Sequence, residues 1–175
     1  NLNVNPSPNP VRLKTIRRNT ETVTLKKTKD GFWKALLSFS DIVALDKITA
    51  ISSNTNVKEQ FELFNGQTDN LYDLGQITLK SEYLEDSVPA FTNYQVIVSY
   101  RYFYHSGSGP ITKNSYTNID YKNIPYYTSP SSGQTYKLDS VIDLRPLKGS
   151  SGALEHKWVP APASSFNVDY EYYLG

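Results

Sequence analysis

The stretch Tyr94-Gln-Val-Ile-Val-Ser-Tyr-Arg-Tyr-Phe-Tyr-His105 alternates as a β-strand does. Val96, Val98, Tyr100, Tyr102 and Tyr104 share one face, and Ile97, Ser99, Arg101 and Phe103 share the other. β-branched and aromatic residues fit such a pleated surface, and bulk on both sides argues for a central place in a sheet.

Outward from this strand, the chain continues as short strands and turns. On the N-terminal side, Leu71 to Lys80 puts Ile77 and Leu79 on one face, and Gln60-Phe-Glu-Leu-Phe64 is a short strand closed by the turn dipeptide Asn65-Gly66. Asp41 to Ile51 is ambiguous: Ile42, Leu45 and Ile48 suit a helix, while the β-branched content and the Ser-Ser-Asn-Thr-Asn ending favour a strand, which is the expectation. Trp33, Ala35, Leu37 and Phe39 line one side of a further strand after the Asp30-Gly31 turn; Phe32 and Leu36 blur the alternation and suggest burial on both faces. Residues 11–29 hold one or two loosely alternating strands, and residues 1–10, with three prolines, read as an extended arm.

On the C-terminal side, residues 106–110 are a Gly/Ser loop. Residues 116–127 are a loop or an edge strand because of Pro125. Tyr136, Leu138, Ile142 and Leu144 suggest a last strand ended by Arg145-Pro146, and residues 148–165 read as a linker. The expected fold is all-β: an immunoglobulin- or fibronectin-III-like β-sandwich over residues 30–147. Residues 1–29 are expected as a basic arm, or as strands belonging partly to a preceding module, and residues 148–175 as a linker and the start of a following module.

Composition narrows the chemistry. There is no cysteine, which excludes disulfides, cysteine-ligated zinc, iron–sulfur clusters and thiol nucleophiles. There is no methionine either, and the sequence reads as a piece of a longer chain. No apolar run reaches the ~20 residues of a membrane-spanning helix. Residues 1–34 carry eight Lys/Arg against two Asp/Glu, a net +6; the remainder carries ten against fifteen, a net −5. This polarity suggests docking of a basic arm on an acidic body. Nucleic acid is not the expected partner, because Lys26, Lys27 and Lys29 stand in a Thr-rich stretch without a binding motif. The 14 tyrosines point to strands and to interfaces, where one end of the ring is apolar and the other forms hydrogen bonds.

No catalytic constellation is legible. His105 and Ser108 suggest a nucleophile elbow, but Ser106 and Pro110 stand where glycines are required; His105 is read as a surface histidine on a loop. Glu82, Glu85 and Asp86 form an acidic stretch, and Asp139 and Asp143 share a strand face; solvated charges are the simpler reading than a carboxylate pair for glycoside hydrolysis. Asn65, Asp69, Asn70 and Asp73 could offer oxygen ligands to calcium, without EF-hand spacing. Arg145 reads as a buried or half-buried partner of Asp143 or Asp139. Trp158 reads as a packing anchor. No cofactor is expected.

Five ordered stretches carry a family resemblance: Phe64-Asn-Gly-Gln-Thr-Asp-Asn-Leu-Tyr-Asp-Leu-Gly75, Val98-Ser-Tyr-Arg-Tyr-Phe-Tyr-His-Ser-Gly107, Ser115-Tyr-Thr-Asn-Ile-Asp-Tyr121 with Ile124-Pro125, Tyr136-Lys-Leu-Asp-Ser-Val-Ile-Asp-Leu-Arg-Pro146, and Phe166-Asn-Val-Asp-Tyr-Glu-Tyr-Tyr-Leu174. Together they resemble a family of large virion structural proteins of contractile-tailed bacteriophages, of the cyanophage type. Thr68, Leu144 and Gly175 replace that family's Arg, Phe and Pro. The resemblance implies a non-enzymatic tail, baseplate or fibre module located in the virion, with other copies or other tail proteins as partners. A carbohydrate- or receptor-binding module touching a host glycan is the alternative. The expected interaction surface comprises Tyr126, Tyr127, Tyr170, Tyr172 and Tyr173 with Lys26, Lys27 and Lys29.

Overall fold

A computed structural model of the chain describes residues 11–84 and 93–158 and the backbone of 173–174. Seven strands make the main sheet: β1 (Leu13–Lys27), β2 (Trp33–Ser40), β3 (Ile42–Ala50), β4 (Thr55–Asn56), β5 (Phe61–Phe64), β6 (Leu74–Leu79) and β7 (Tyr94–Ser106). They are ordered β4-β3-β7-β1-β2-β6-β5, with every pair antiparallel. The quoted strand is central as expected, with β3 on one side and β1 on the other.

Residues 11–29 depart from the reading of a basic arm. β1 runs beside β7 from Leu13↔Ser106 to Leu25↔Tyr94. Charge alone does not mark an arm here: Arg17, Arg18, Lys26 and Lys27 stay exposed along the strand while Val23, Leu25 and even Lys14 are buried.

The Asp30-Gly31 turn joins β1 to β2, with Gly31 at φ +87°. The two strands pair only at Lys26↔Lys34 and Lys27↔Trp33 and then part, β1 following β7 and β2 following β6. Where they part, the Glu21 carboxylate accepts from the Ser38 N–H (2.9 Å) and hydroxyl (2.6 Å) and from the Tyr100 hydroxyl (2.5 Å). The sheet therefore curls, and its two halves enclose Leu25, Leu37, Ile48, Ile77, Leu79, Val96, Val98 and Tyr100. Phe39 stacks on Tyr102 at 4.1 Å and Phe61 lies parallel to Tyr94 at 6.5 Å across the gap. The fold is all-β. It is built as one curled antiparallel sheet whose facing layers share β1.

Two local readings are settled by register. β3 is a strand, and it contains two bulges, between Ile42 and Ala44 and between Leu45 and Lys47. Each bulge inserts one residue, so the buried side chains fall at Ile42, Leu45 and Ile48, the spacing of a helix. Phe32 and Leu36 are exposed, so β2 is not buried on both faces.

Gly75 on β6 packs against the side chains of Ile42 on β3 and Leu37 on β2. A Cβ there would lie 2.4 Å from Ile42 Cγ1 and 3.3 Å from Leu37 Cδ1. Overpacking of this kind costs about 1–3 kcal/mol, so Gly75→Ala is expected to lower the urea midpoint, and an unchanged midpoint would show that Ile42 moves aside freely.

Residues 107–158 form a cap over the outer face of β1 and β7. The expected strand 136–144 breaks around a turn into β9 (Thr135–Lys137) and β10 (Ile142–Asp143); β9 pairs with β8 (Tyr126–Thr128). The expected linker contains the ladder β11 (Leu147–Lys148) with β12 (Leu154–Glu155), and β13 (Tyr173–Leu174) pairs in parallel with β10. The cap has its own apolar centre in Tyr72, Ile111, Tyr116, Ile124, Tyr127 and Leu138.

Candidate functional site

The sheet and its cap meet at a cluster of buried ionisable side chains. β1 contributes Lys14, with Arg12 just before it; β7 contributes His105, which lies directly opposite Lys14 in the ladder. Asp41 is the single residue between β2 and β3, and its left-handed φ of +55° turns the corner. Aspartate tolerates this conformation better than most residues. The cap contributes Asp143 and Arg145, and the loop before β6 contributes Gln67 and Tyr72. All eight are buried.

Asp41 is one hub. Its Oδ2 lies 2.8 Å from Lys14 Nζ and 2.7 Å from His105 Nε2, and its Oδ1 accepts from Gln67 Nε2 at 3.2 Å. Asp143 is the other. It accepts from Arg145 Nε (3.0 Å), Arg145 Nη2 (2.7 Å) and the Arg145 backbone N–H (3.0 Å). The Tyr72 hydroxyl joins the hubs: it donates to Asp143 Oδ2 (2.5 Å) and accepts from Lys14 Nζ (3.1 Å) and Arg145 Nη2 (3.0 Å).

Three cations face two carboxylates, an imbalance that carbonyl oxygens absorb. Arg12 donates twice to the Gly109 carbonyl (3.2 and 3.1 Å) and once to that of Arg145 (2.8 Å), and Arg145 donates to the Thr68 carbonyl (3.0 Å). The rings of Tyr72, Phe103 and Tyr116 lie 4.4, 5.2 and 5.2 Å from Lys14 Nζ, where an ammonium gains from their faces. The Tyr116 hydroxyl is buried with no hydrogen-bond partner among the described residues.

Burial sets the protonation states. It pushes the His105 imidazole down to about 4, against the opposing hydrogen bond to Asp41. The ring is therefore neutral at pH 7. Arg12 can only donate, and its Nη1 stands 3.4 Å from Nδ1, so Nδ1 is the acceptor and Nε2 carries the proton given to Asp41. Burial likewise lowers the Lys14 amine and raises the Tyr72 phenol. Burial would raise both carboxyls, but the Lys14 charge with the His105 hydrogen bond holds Asp41 low, and the hydrogen bonds and charge of Arg145 hold Asp143 low.

Several sequence readings are corrected here. His105 is fully buried, not a loop histidine, and Ser108 is exposed and takes no part. Asp143 is buried against Arg145, which bears out that pairing but not the solvated strand face; Asp139 stays at the surface beside Ser140. The oxygen-rich loop does not converge: Asn65 accepts from the Gln67 N–H, Asp69 from the Tyr127 and Ser131 hydroxyls, and Asp73 pairs with Lys148. Among the described residues no group of three or more His, Asp or Glu is placed to hold a metal ion, and no helix is long and apolar enough to cross a membrane.

The expected interaction surface divides. Tyr126 is exposed (66%), but Tyr127 is buried (6%), with its hydroxyl on Asp69 and its ring 4.4 Å from the Arg145 guanidinium, so it presents no face to a ligand. Lys26, Lys27 and Lys29 are exposed at the β1–β2 hairpin. Tyr170 and Tyr172, like Glu85 and Asp86, lie outside the described residues, and for Tyr173 only the backbone is described. Trp158 is half-buried.

Arg12, Lys14 and Asp41 were missed as site residues because each reads locally as a surface charge. One available signal was the ladder: a strand placing His105 on the same face as Phe103 buries a polar group, which needs partners. The five stretches quoted above give the other signal. Gln67, Tyr72, His105, Tyr116, Asp143 and Arg145 all belong to them, and all converge on this cluster. No family model, curated protein or solved structure matches the chain.

Proposed function

We propose that the chain is a structural module of a bacteriophage tail, baseplate or fibre protein, which helps assemble a virion through contacts with further copies or with other tail proteins. The observation that carries this reading is the convergence of the motif residues on one buried network. Side chains that an enzyme would turn towards a cleft here bond to each other and fix the cap on the sheet. A hollow of about 110 Å³ lies beside the network, lined by Ser40, His105, Lys148 and His156 among others. A rigid β module with exposed tyrosines is suited to repeated protein contacts. Immunogold labelling of purified tailed particles with an antibody to this chain is expected to decorate the tail or baseplate; particles that carry the chain's peptides nowhere would remove the proposal.

One observation favours the second reading, glycan binding. Tyr121 and Tyr126 are 68% and 66% exposed and flank Lys137, whose Nζ lies 3.0 Å from the first ring and 5.6 Å from the second. Two rings and an ammonium form a platform for a sugar ring bearing a carboxylate. On a glycan array, saturable binding lost in Tyr126→Ala would select this reading, and an array without signal would reject it.

A further inference from the structure

We propose that Lys14 and Asp41 become covalently joined, the Nζ of one to the Cγ of the other, in an intramolecular isopeptide bond made by the fold itself. The inference does not depend on the chain's place in a virion.

Two carboxyl and amine groups in water do not condense at neutral pH, because the amine holds its proton and the carboxylate resists attack. Three features of this cluster remove those obstacles. The first is position. Lys14 Nζ lies 2.8 Å from Asp41 Oδ2 with both side chains out of water. Gln67 and His105 bind the two carboxyl oxygens, and the left-handed corner fixes the backbone. Reactants held this way gain the large effective concentration of an intramolecular reaction.

The second is dryness. Three aromatic rings enclose Lys14. Burial disfavours the lone ammonium and lowers the Lys14 amine, so transfer of one proton within the pair, giving an amine and a carboxylic acid, is less unfavourable than in water, although Lys14 and His105 oppose it by holding Asp41 low. The third is a second carboxylate reached through a hydroxyl: Lys14 Nζ donates to Tyr72, and Tyr72 donates to Asp143. That chain is a path for protons, with Tyr72 and Asp143 as positioning groups.

The step balances without an oxidant or cofactor. A proton passes from Lys14 Nζ to Asp41 Oδ2. The freed nitrogen lone pair attacks Cγ, the C–N bond forms, and the carbonyl electron pair moves to Oδ1, where the Gln67 amide N–H meets the developing charge. The nitrogen gives up a second proton through Tyr72 to Asp143. The C=O bond then re-forms, the Cγ–Oδ2 bond breaks, and the departing hydroxyl takes that proton back and leaves as water. Lys14 and Asp41 are consumed as one amide, and Tyr72, Asp143, Gln67 and His105 end unchanged.

Intact-mass spectrometry of the full chain in denaturant tests this directly. An ion pair leaves the mass unaltered, whereas the amide removes one water, about 18 Da. The folded protein is expected at the lower mass and Lys14→Arg at its full sequence mass. Tryptic digestion of the wild type should yield a branched peptide joining the segment with Lys14 to the segment with Asp41. Tyr72→Phe should give a mixture of both masses that shifts slowly to the lower one. Wild-type protein still at full mass after long incubation at neutral pH overturns the proposal. So does a lost water that fragmentation places at Asp30-Gly31, where a succinimide gives the same mass change.

Discussion

Arg145→Met is expected to destabilise the folded chain by about 3–5 kcal/mol, because it leaves the Asp143 carboxylate buried without its cation. The side chain replaced is fully buried and holds Asp143 by two side-chain bonds, the Tyr72 hydroxyl by one, Gln67 by one and the Thr68 carbonyl by one. A methionine fills much of the volume but returns none of these donors. The partner variant Asp143→Leu is expected to be comparably harmful, since it leaves the Arg145 guanidinium buried without its carboxylate. The double variant should recover a large part of the loss, because removing both charges removes the penalty of burying either one. Urea unfolding of the four proteins measures the coupling. Additive losses, with no recovery in the double variant, would mean that the ion pair is not the source of the effect.

Acidification is expected to unfold the chain from about pH 6.5 downwards, earlier than carboxylates alone would require. The His105 ring titrates at about 4 in the folded chain against 6.5 when unfolded, with burial the main cause. Below pH 6.5 the unfolded chain takes up a proton that the folded chain refuses. The His105 contribution is therefore fully present above pH 6.5 and declines as the pH falls towards 4, by roughly 3 kcal/mol over the window. Asp143 acts in the same sense at lower pH: its depressed folded value means that stability present above the ordinary carboxylate range is lost as the pH falls through the folded value. His105→Gln separates the two. Glutamine can donate to Asp41 and accept from Arg12 as the neutral ring does, yet it does not titrate. Its unfolding free energy should be flat between pH 6.5 and about 5, above the range in which unfolded carboxyls take up protons, and a slope equal to that of the wild type in that window would exclude His105 as the cause.

The strands of the main sheet were legible where their pattern was local. β7 declared itself by strict alternation, β2 by Trp33, Ala35, Leu37 and Phe39, and the first hairpin by Asp30-Gly31. β3 was nearly hidden, because two bulges gave its buried residues the spacing of a helix. The curled sheet was not legible, since the parting of β1 from β2 follows from which partner each takes afterwards, and pairing with β7 is a matter of distant sequence. The buried cluster was least legible of all. Arg145 could be paired with Asp143 because they are neighbours, but Lys14, Asp41 and His105 come from three separate strands and corners. Each finds its partner on an element distant in sequence, and no local pattern records that.

The pairing of β1 with β7 also dictates an order of events when the chain first folds. β2, β6 and β5 can form from neighbouring segments, but β1 has no partner along most of its length until Tyr94–Ser106 has been made. Contacts so distant in sequence are slow to form, because the long intervening loop must close before any bond rewards it. Until then the nascent chain presents a long unsatisfied strand edge, the surface on which chains aggregate. Synthesis rate and chaperone supply, more than final stability, are therefore expected to govern how much of this protein is recovered in native form.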